Sequence, residues 1–180
     1  MKRAIVYSSK TGNTKKVAEA IFDCLDGVKA LYDVREAPEP NEFDWLILGF
    51  WVNRGLPEKE MINYMEQIRN KNISIFMTLG AYPDSTHAKK VMAEVSSLLA
   101  VHNQVAGQFI CQGKIDPALT ERLYRLPKDH PHYMDEGRIE RHKEAAKHPD
   151  SDDLARAQNI FRCLQHRFCS NRPRSCNHSG

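Results

Sequence analysis

Short apolar runs and amphipathic helical stripes alternate along most of this chain, and that alternation constrains its fold more than any other feature. Ala4 to Tyr7 reads as a buried strand, and beyond a loop of small residues Val17, Ala18, Ile21, Phe22 and Leu25 recur at helical spacing. From Val28 to Val34 the pattern alternates as an edge strand does, with Val28, Ala30, Tyr32 and Val34 on one side and Lys29 and Asp33 on the other. Trp45 to Gly49 and Ile73 to Leu79 are continuously apolar, the pattern of central parallel strands covered by helices on both faces. Between them Pro57 reads as the first helical residue, with Met61, Ile62, Met65 and Ile68 as the buried stripe. A third helix, capped by Asp84 or Ser85, carries Ala88, Val91, Met92, Val95, Leu98 and Leu99 and leads to a strand from Gln104 to Cys111. Parallel strands need crossovers, so five strands alternating with helices imply an α/β fold with an open, doubly wound, five-stranded parallel sheet.

The first crossover carries the most chemistry. Ser8, Ser9, Lys10, Thr11, Gly12, Asn13 and Thr14 join the first strand to the first helix. Helix-start N–H groups lack intrahelical partners and the macrodipole is positive there, so such a loop suits a dianionic phosphate. The glycine spacing matches neither a Walker loop nor a dinucleotide fingerprint. In a doubly wound sheet ligands sit across the carboxyl ends of the strands, so the loops after strands three and four complete the site. These are Gly49-Phe50-Trp51-Val52-Asn53-Arg54-Gly55 and Leu79-Gly80-Ala81-Tyr82-Pro83-Asp84, whose aromatic rings suit a flat heterocycle. Phe50 and Trp51 point to opposite sides of a strand, so one of the two faces the ligand; the sequence leaves open which.

The pattern Ser9-x-Thr11-Gly12-x-Thr14 at the end of the first strand resembles the FMN-phosphate loop of flavodoxins, and the likeness covers residues 3 to 112. It implies the flavodoxin-like strand order 2-1-3-4-5 and FMN as cofactor. Carried over, it implies phosphate contacts from Ser9, Lys10, Thr11, Gly12, Asn13 and Thr14, and flavin contacts from Phe50, Trp51, Asn53, Arg54, Gly55, Gly80, Ala81, Tyr82 and Asp84. Flavodoxins are acidic around the flavin; Arg54 departs from that pattern and, turned inward, would raise the flavin potential. The stretches GFWVNRG, TLGAYPDSTHAKK, FICQGKIDP and KDHPHYMDEGRIERHKEAAKHPD resemble a bacterial flavodoxin-like subfamily associated with bilirubin reductases, extending the likeness to about residue 165.

The last third departs from a minimal flavodoxin. Asp116-Pro117 starts a short helix with Leu119, Leu123 and Leu126, Pro127 stops it, and a polar stretch from Lys128 to Asp150 follows. Leu154, Ala157, Ile160, Phe161, Leu164 and Phe168 then form the stripe of a final helix. The expected organisation is one domain over residues 1–168, a helical and loop insertion over 113–150 that begins beside the ligand site, and a mobile basic tail over 169–180. After Asp153 there is no acid, while Arg156, Arg162, Arg167, Arg172 and Arg174 follow.

A net charge of +3 from 26 basic and 23 acidic residues, interspersed, gives no reason to expect nucleic acid. No run reaches membrane-spanning length and the amino terminus lacks a signal-peptide pattern, so a cytoplasmic protein without membrane contact is expected. Five cysteines without CxxC spacing read as thiols, and the insertion's His130, His132, His142 and His148 lack the spacing of a zinc site, so no metal is expected. His132 and Tyr133 are a proton source to consider for a bound substrate.

The resemblance therefore implies an FMN-dependent electron carrier, acting with a redox partner protein and supplying electrons for bilirubin or tetrapyrrole reduction, with no catalytic residue of its own. Two other readings stay open: an NAD(P)H-dependent quinone or flavin reductase on the same fold, and a non-redox interaction module.

Overall fold

The computed structural model describes residues 1–170. Five parallel strands, β1 (Arg3–Tyr7), β2 (Lys29–Asp33), β3 (Trp45–Trp51), β4 (Asn72–Leu79) and β5 (Gln104–Gln112), pair in the order β2-β1-β3-β4-β5. The helices are α1 (Asn13–Cys24), α2 (Lys59–Met65), α3 (Thr86–Ala100), α4 (Pro117–Tyr124), α5 (Glu136–Ala145) and α6 (Ser151–Ser170). The sheet is the doubly wound one that the alternation implies, in the flavodoxin order.

The two-residue period of the strands splits the core in two. Ala4, Val6, Leu46, Leu48, Phe50, Ile73, Ile75 and Met77 meet the apolar stripes of α2 and α3. Ile5, Tyr7, Trp45, Ile47, Phe76, Phe109 and Cys111 face α1 and α6, whose Ala157, Phe161 and Leu164 are buried. Along β3, therefore, even-numbered side chains belong to the α2/α3 side and odd-numbered ones to the α1/α6 side.

Some boundaries differ from the sequence expectation, each for a local reason. β2 is half-buried at every position rather than on alternate residues, because helices flank both faces even at the sheet edge; Leu31 packs toward one core and Tyr32 toward the other, and Val28 lies outside the strand, exposed. α2 starts at Lys59 rather than Pro57, because the Glu58 carboxylate accepts from the Met61 N–H and serves as the N-cap. Ser85, not Asp84, caps α3, its hydroxyl accepting from the Ala88 N–H.

The insertion holds two helices, not one. α4 lies where Leu119, Leu123 and Leu126 suggested, yet none of its residues is buried. α5 went unread because only Ile139 and Ala145 mark its inner face; its signal is Asp135, which caps it by accepting from the Arg138 N–H at 2.7 Å. α6 extends through Ser170, so the expected tail is shortened at its start, and residues 171–180 lie outside the described residues. Cys24, Cys111 and Cys163 are free thiols. No helix among the described residues is long and apolar enough to cross a membrane.

Candidate functional site

The carboxyl ends of β1, β3, β4 and β5 converge on the start of α1. The Ser8 N–H donates to the Gly49 carbonyl, the Val52 N–H to Thr78 and the Gly113 N–H to Leu79, so each loop leaves its strand in register with its neighbour. Gly12, at φ 89, turns the chain into α1, and no side chain caps that helix. Its first turn carries Lys15 and Lys16 and no acid, an arrangement the helix dipole disfavours unless an anion sits in front of it. The exposed loop residues Lys10, Thr11 and Gly12 rim this cradle, and the Ser9 Oγ is buried without a hydrogen-bond partner. Uncapped N–H groups, an orphaned hydroxyl and local positive charge are the donor set of a phosphate monoester site, so these residues fit the phosphate of FMN.

A cavity of about 210 Å³ opens beside the cradle, lined by Lys10 and Thr11 from the loop and Asn13 at the start of α1, Trp51 and Val52 where β3 ends, and Thr78, Leu79 and Gly80 where β4 ends. Its fourth wall is the start of the insertion, from Gly113 to Asp116 with Leu119. Trp51 is the ring that faces it. Phe50 is fully buried in the α2/α3 core, so the expectation that it touches the flavin is withdrawn; the strand period assigns position 51 to the α1 side, where the loop lies. Lys10 Nζ stands 5.9 Å from the Trp51 ring centre and 2.9 Å from the Asp116 carboxylate. The Asp116 carboxyl, half-buried, is held below the usual range first by the hydrogen bond from Lys10 and then by that from the Ala118 N–H.

The remaining expected residues lie around the cavity rather than in it. Thr14 is buried beneath the loop, where its hydroxyl meets that of Thr78 at 2.9 Å. Asn53, Arg54 and Gly55 form a tight turn closed by reciprocal Asn53–Leu56 hydrogen bonds, with φ of 52 at Arg54 and 88 at Gly55. Two successive left-handed residues define a type I′ turn, which Gly55 enters freely and Arg54 with strain. Arg54 is exposed at its tip and is not among the residues lining the cavity, so the structure does not set it against the ring as the potential-raising role requires. Ala81 packs against the α2/α3 core. Tyr82, 42% exposed, and Asp84 line a separate cleft with Glu140 and Glu144 of α5.

The insertion begins beside the site, as its place after the fifth strand implies, but sequence reasoning named none of the residues it contributes. The Asn13 side-chain amide donates to the Lys114 carbonyl at 2.9 Å, and Ile115 lies so close to Gly80 that a Cβ there would stand 2.6 Å from its Cγ1. Small residues at 80 and 113 beside the apolar Ile115 were the available signal. The far end of the insertion is tied down as well: Lys16 Nζ donates to the Pro149 carbonyl, and the Lys114 N–H to that of His148.

His148 bridges α5 and α6, with Nδ1 2.5 Å from buried Asp153 and Nε2 3.4 Å from Glu144. His148, Asp150 and Asp153 lie within metal-binding distance of one another, but Asp153 is already satisfied by His148, Arg156 and the Asp150 N–H. The rings of His130 and His132 in the insertion loop lie tilted against each other, 5.7 Å between centres and 45° between planes.

Comparison with known proteins agrees with this architecture. The flavodoxin domain model matches residues 4–162. A flavodoxin-like domain-containing protein BilS of Clostridioides difficile is 33% identical over 164 residues, covering 87% of this chain and 92% of that protein; its counterpart in Clostridium symbiosum is 27% identical over 182 residues, covering 89% and 94%. Among solved structures, a flavodoxin from the domain Archaea superposes with a TM-score of 0.59 at 16% identity, covering 93% of this chain and 98% of that one. Flavodoxin 1 of Bacillus cereus gives 0.59 at 12%, covering 96% and 100%. With the sheet order, the loop at the head of α1 and a family model spanning nearly the whole described chain in agreement, this protein belongs to the flavodoxin domain family.

Proposed function

We propose that this protein is an FMN-dependent electron carrier whose acceptor is a bilirubin or other tetrapyrrole reductase. The observation that carries the first part is the uncapped start of α1 with the orphaned Ser9 hydroxyl, set beside the Trp51-walled cavity at the strand ends. Ser9, Lys10, Thr11, Gly12 and Asn13 hold the phosphate, Trp51 flanks the ring, and Gly80 with Ile115 bounds the opposite side. Bound there, FMN supplies reversible electron transfer, while the chain binds it, orients it and limits water around it. The partner assignment rests on the resemblance to the subfamily associated with bilirubin reductases and on the likeness to the BilS proteins.

The test is visible absorption of the purified protein before and after FMN addition, followed by anaerobic reduction and mixing with a purified bilirubin reductase and its substrate. The proposal expects a bound-flavin spectrum, slow direct reduction by NADPH, and reoxidation of the flavin only when the reductase is present. Rapid bleaching by NADPH alone assigns the protein to the quinone and flavin reductases instead, and absence of any flavin binding overturns the proposal.

A further inference from the structure

A second cavity, of about 170 Å³, lies on the α2 side of the phosphate loop and shares Lys10 and Trp51 with the first. Of the five buried side-chain polar atoms without a hydrogen-bond partner among the described residues, three belong to residues that line it: Ser8 Oγ, Ser9 Oγ and Glu58 Oε2. Ser8 is only 5% exposed. Buried polar groups are nearly always satisfied, so three orphans around one small cavity mark a place built for something polar.

Glu58 is the unusual member. One carboxylate oxygen caps α2 through the Met61 N–H; the other makes no hydrogen bond of full geometry, has only the Ser8 hydroxyl near it and faces no cation. No cation among the described residues offsets it. From the β1 loop, Lys10 is turned away to Asp116. From the end of β2, Arg35 is committed to Asp33, at 2.8 and 2.9 Å. β3 contributes only the neutral Trp51, and α2 adds a second acid, Glu60. Burial accordingly pushes the Glu58 carboxyl above its ordinary range, with the nearby Ser8 hydroxyl and the backbone N–H groups at the cap offsetting part of the rise.

A dianionic phosphate seated against Ser9 brings two negative charges toward this unpaired carboxylate. We propose that Glu58 is a proton-carrying residue of the phosphate subsite: it takes one proton from solvent when a dianionic phosphate monoester enters and returns that proton when the ester leaves. The inference rests on the phosphate-loop reading above and deepens it. A protonated Glu58 is neutral and is itself a hydrogen-bond donor, so it faces the phosphate and the Ser8 and Ser9 hydroxyls without repulsion.

The test compares FMN and riboflavin, which differ only in the phosphate, by fluorescence titration from pH 7 to 9, where the phosphate is about nine-tenths or more dianionic. Calorimetry in two buffers of different ionisation enthalpy counts the protons exchanged. The expected result is an FMN affinity that falls about tenfold per pH unit once free Glu58 ionises, with uptake approaching one proton, while riboflavin shows no such trend. Glu58→Gln, whose amide oxygen can still cap α2, is expected to remove both the slope and the uptake. An unchanged slope and uptake in that variant, or an equal slope for riboflavin, overturns the proposal.

A second measurement needs neither a variant nor a flavin. The Glu58 carboxyl carbon is titrated by NMR in the intact protein with and without inorganic phosphate, and phosphate is expected to raise its midpoint. A raised midpoint without FMN binding keeps the proton role and sinks the flavin reading; FMN binding with an unmoved midpoint does the reverse.

Discussion

Lys10 of the loop before α1 and Asp116 at the head of the insertion form an ion pair 2.9 Å long beside the Trp51-walled cavity, with the lysine ammonium lying over the Trp51 ring. The same lysine stands where a bound phosphate would draw it, so clasp and ligand compete for one charge.

Asp116→Asn is therefore expected to tighten FMN binding by up to about fivefold at low salt, with the gain fading as ionic strength rises, since exposed ion pairs are weak and screened. Lys10→Gln is expected to weaken binding. Because pairing lowers the Asp116 carboxyl, the clasp is present above the ordinary carboxylate range and is lost as pH falls through the lowered value. Fluorescence titration at two salt concentrations and at mildly and strongly acidic pH measures each effect.

Substitution at two adjacent positions separates core from site. Trp51→Ala is expected to weaken FMN binding by about tenfold, from loss of aromatic contact, with little change in thermal stability. Phe50→Ala removes a fully buried ring and is expected to cost about 3–5 kcal/mol. Denaturant unfolding of the apo-proteins beside FMN titration checks the pair; equal stability losses contradict the facing assigned to them.

Gly80 admits the insertion wall. Gly80→Ala places a methyl group 2.6 Å from Ile115 Cγ1, which must shift, and a destabilisation of about 1–3 kcal/mol is expected together with altered flavin affinity. Adding Ile115→Ala is expected to restore part of both. A double-mutant cycle read by urea unfolding shows whether the two residues couple.

His148 gives the insertion a pH dependence. Burial lowers its imidazole, but the hydrogen bond and charge of Asp153, together with Glu144 and Asp150, outweigh that and leave it raised. A raised histidine contributes stability that is fully present below the unfolded value of about 6.5 and is lost as pH rises through the folded value. Protection of the α5 amides against hydrogen exchange, taken relative to the intrinsic base-catalysed rate, is expected to fall over that interval and to show no such fall in His148→Ala.

Much of the fold was legible because strands and helices advertise themselves by period. Trp45 to Gly49 and Ile73 to Leu79 read as central strands because apolar side chains on both faces have only one use. The loop at the head of α1 was legible because Ser9, Thr11, Gly12 and Asn13 mark a strand-to-helix turn, where helix-start N–H groups are left open. α5 escaped because a surface helix pinned by Asp135 and His148 shows no apolar stripe. The second half of the cavity escaped for a different reason: Gly113 to Asp116 reach Gly80 and Asn13 through packing over long stretches of sequence.

The amino-acid sequence by itself determined the alternating strands and helices and the loop at the head of α1, since periodicity and helix ends act over a few neighbouring residues, while the strand order followed from the resemblance to flavodoxins. Tertiary structure alone decided which aromatic faces the cavity, that Lys10 is held by Asp116, that Thr14 is committed to Thr78, and that the Glu58 carboxyl is buried without a cation to offset it. Those outcomes depend on which charges and hydroxyls come together when distant loops converge on one sheet edge, and spacing along a chain does not encode distance in space.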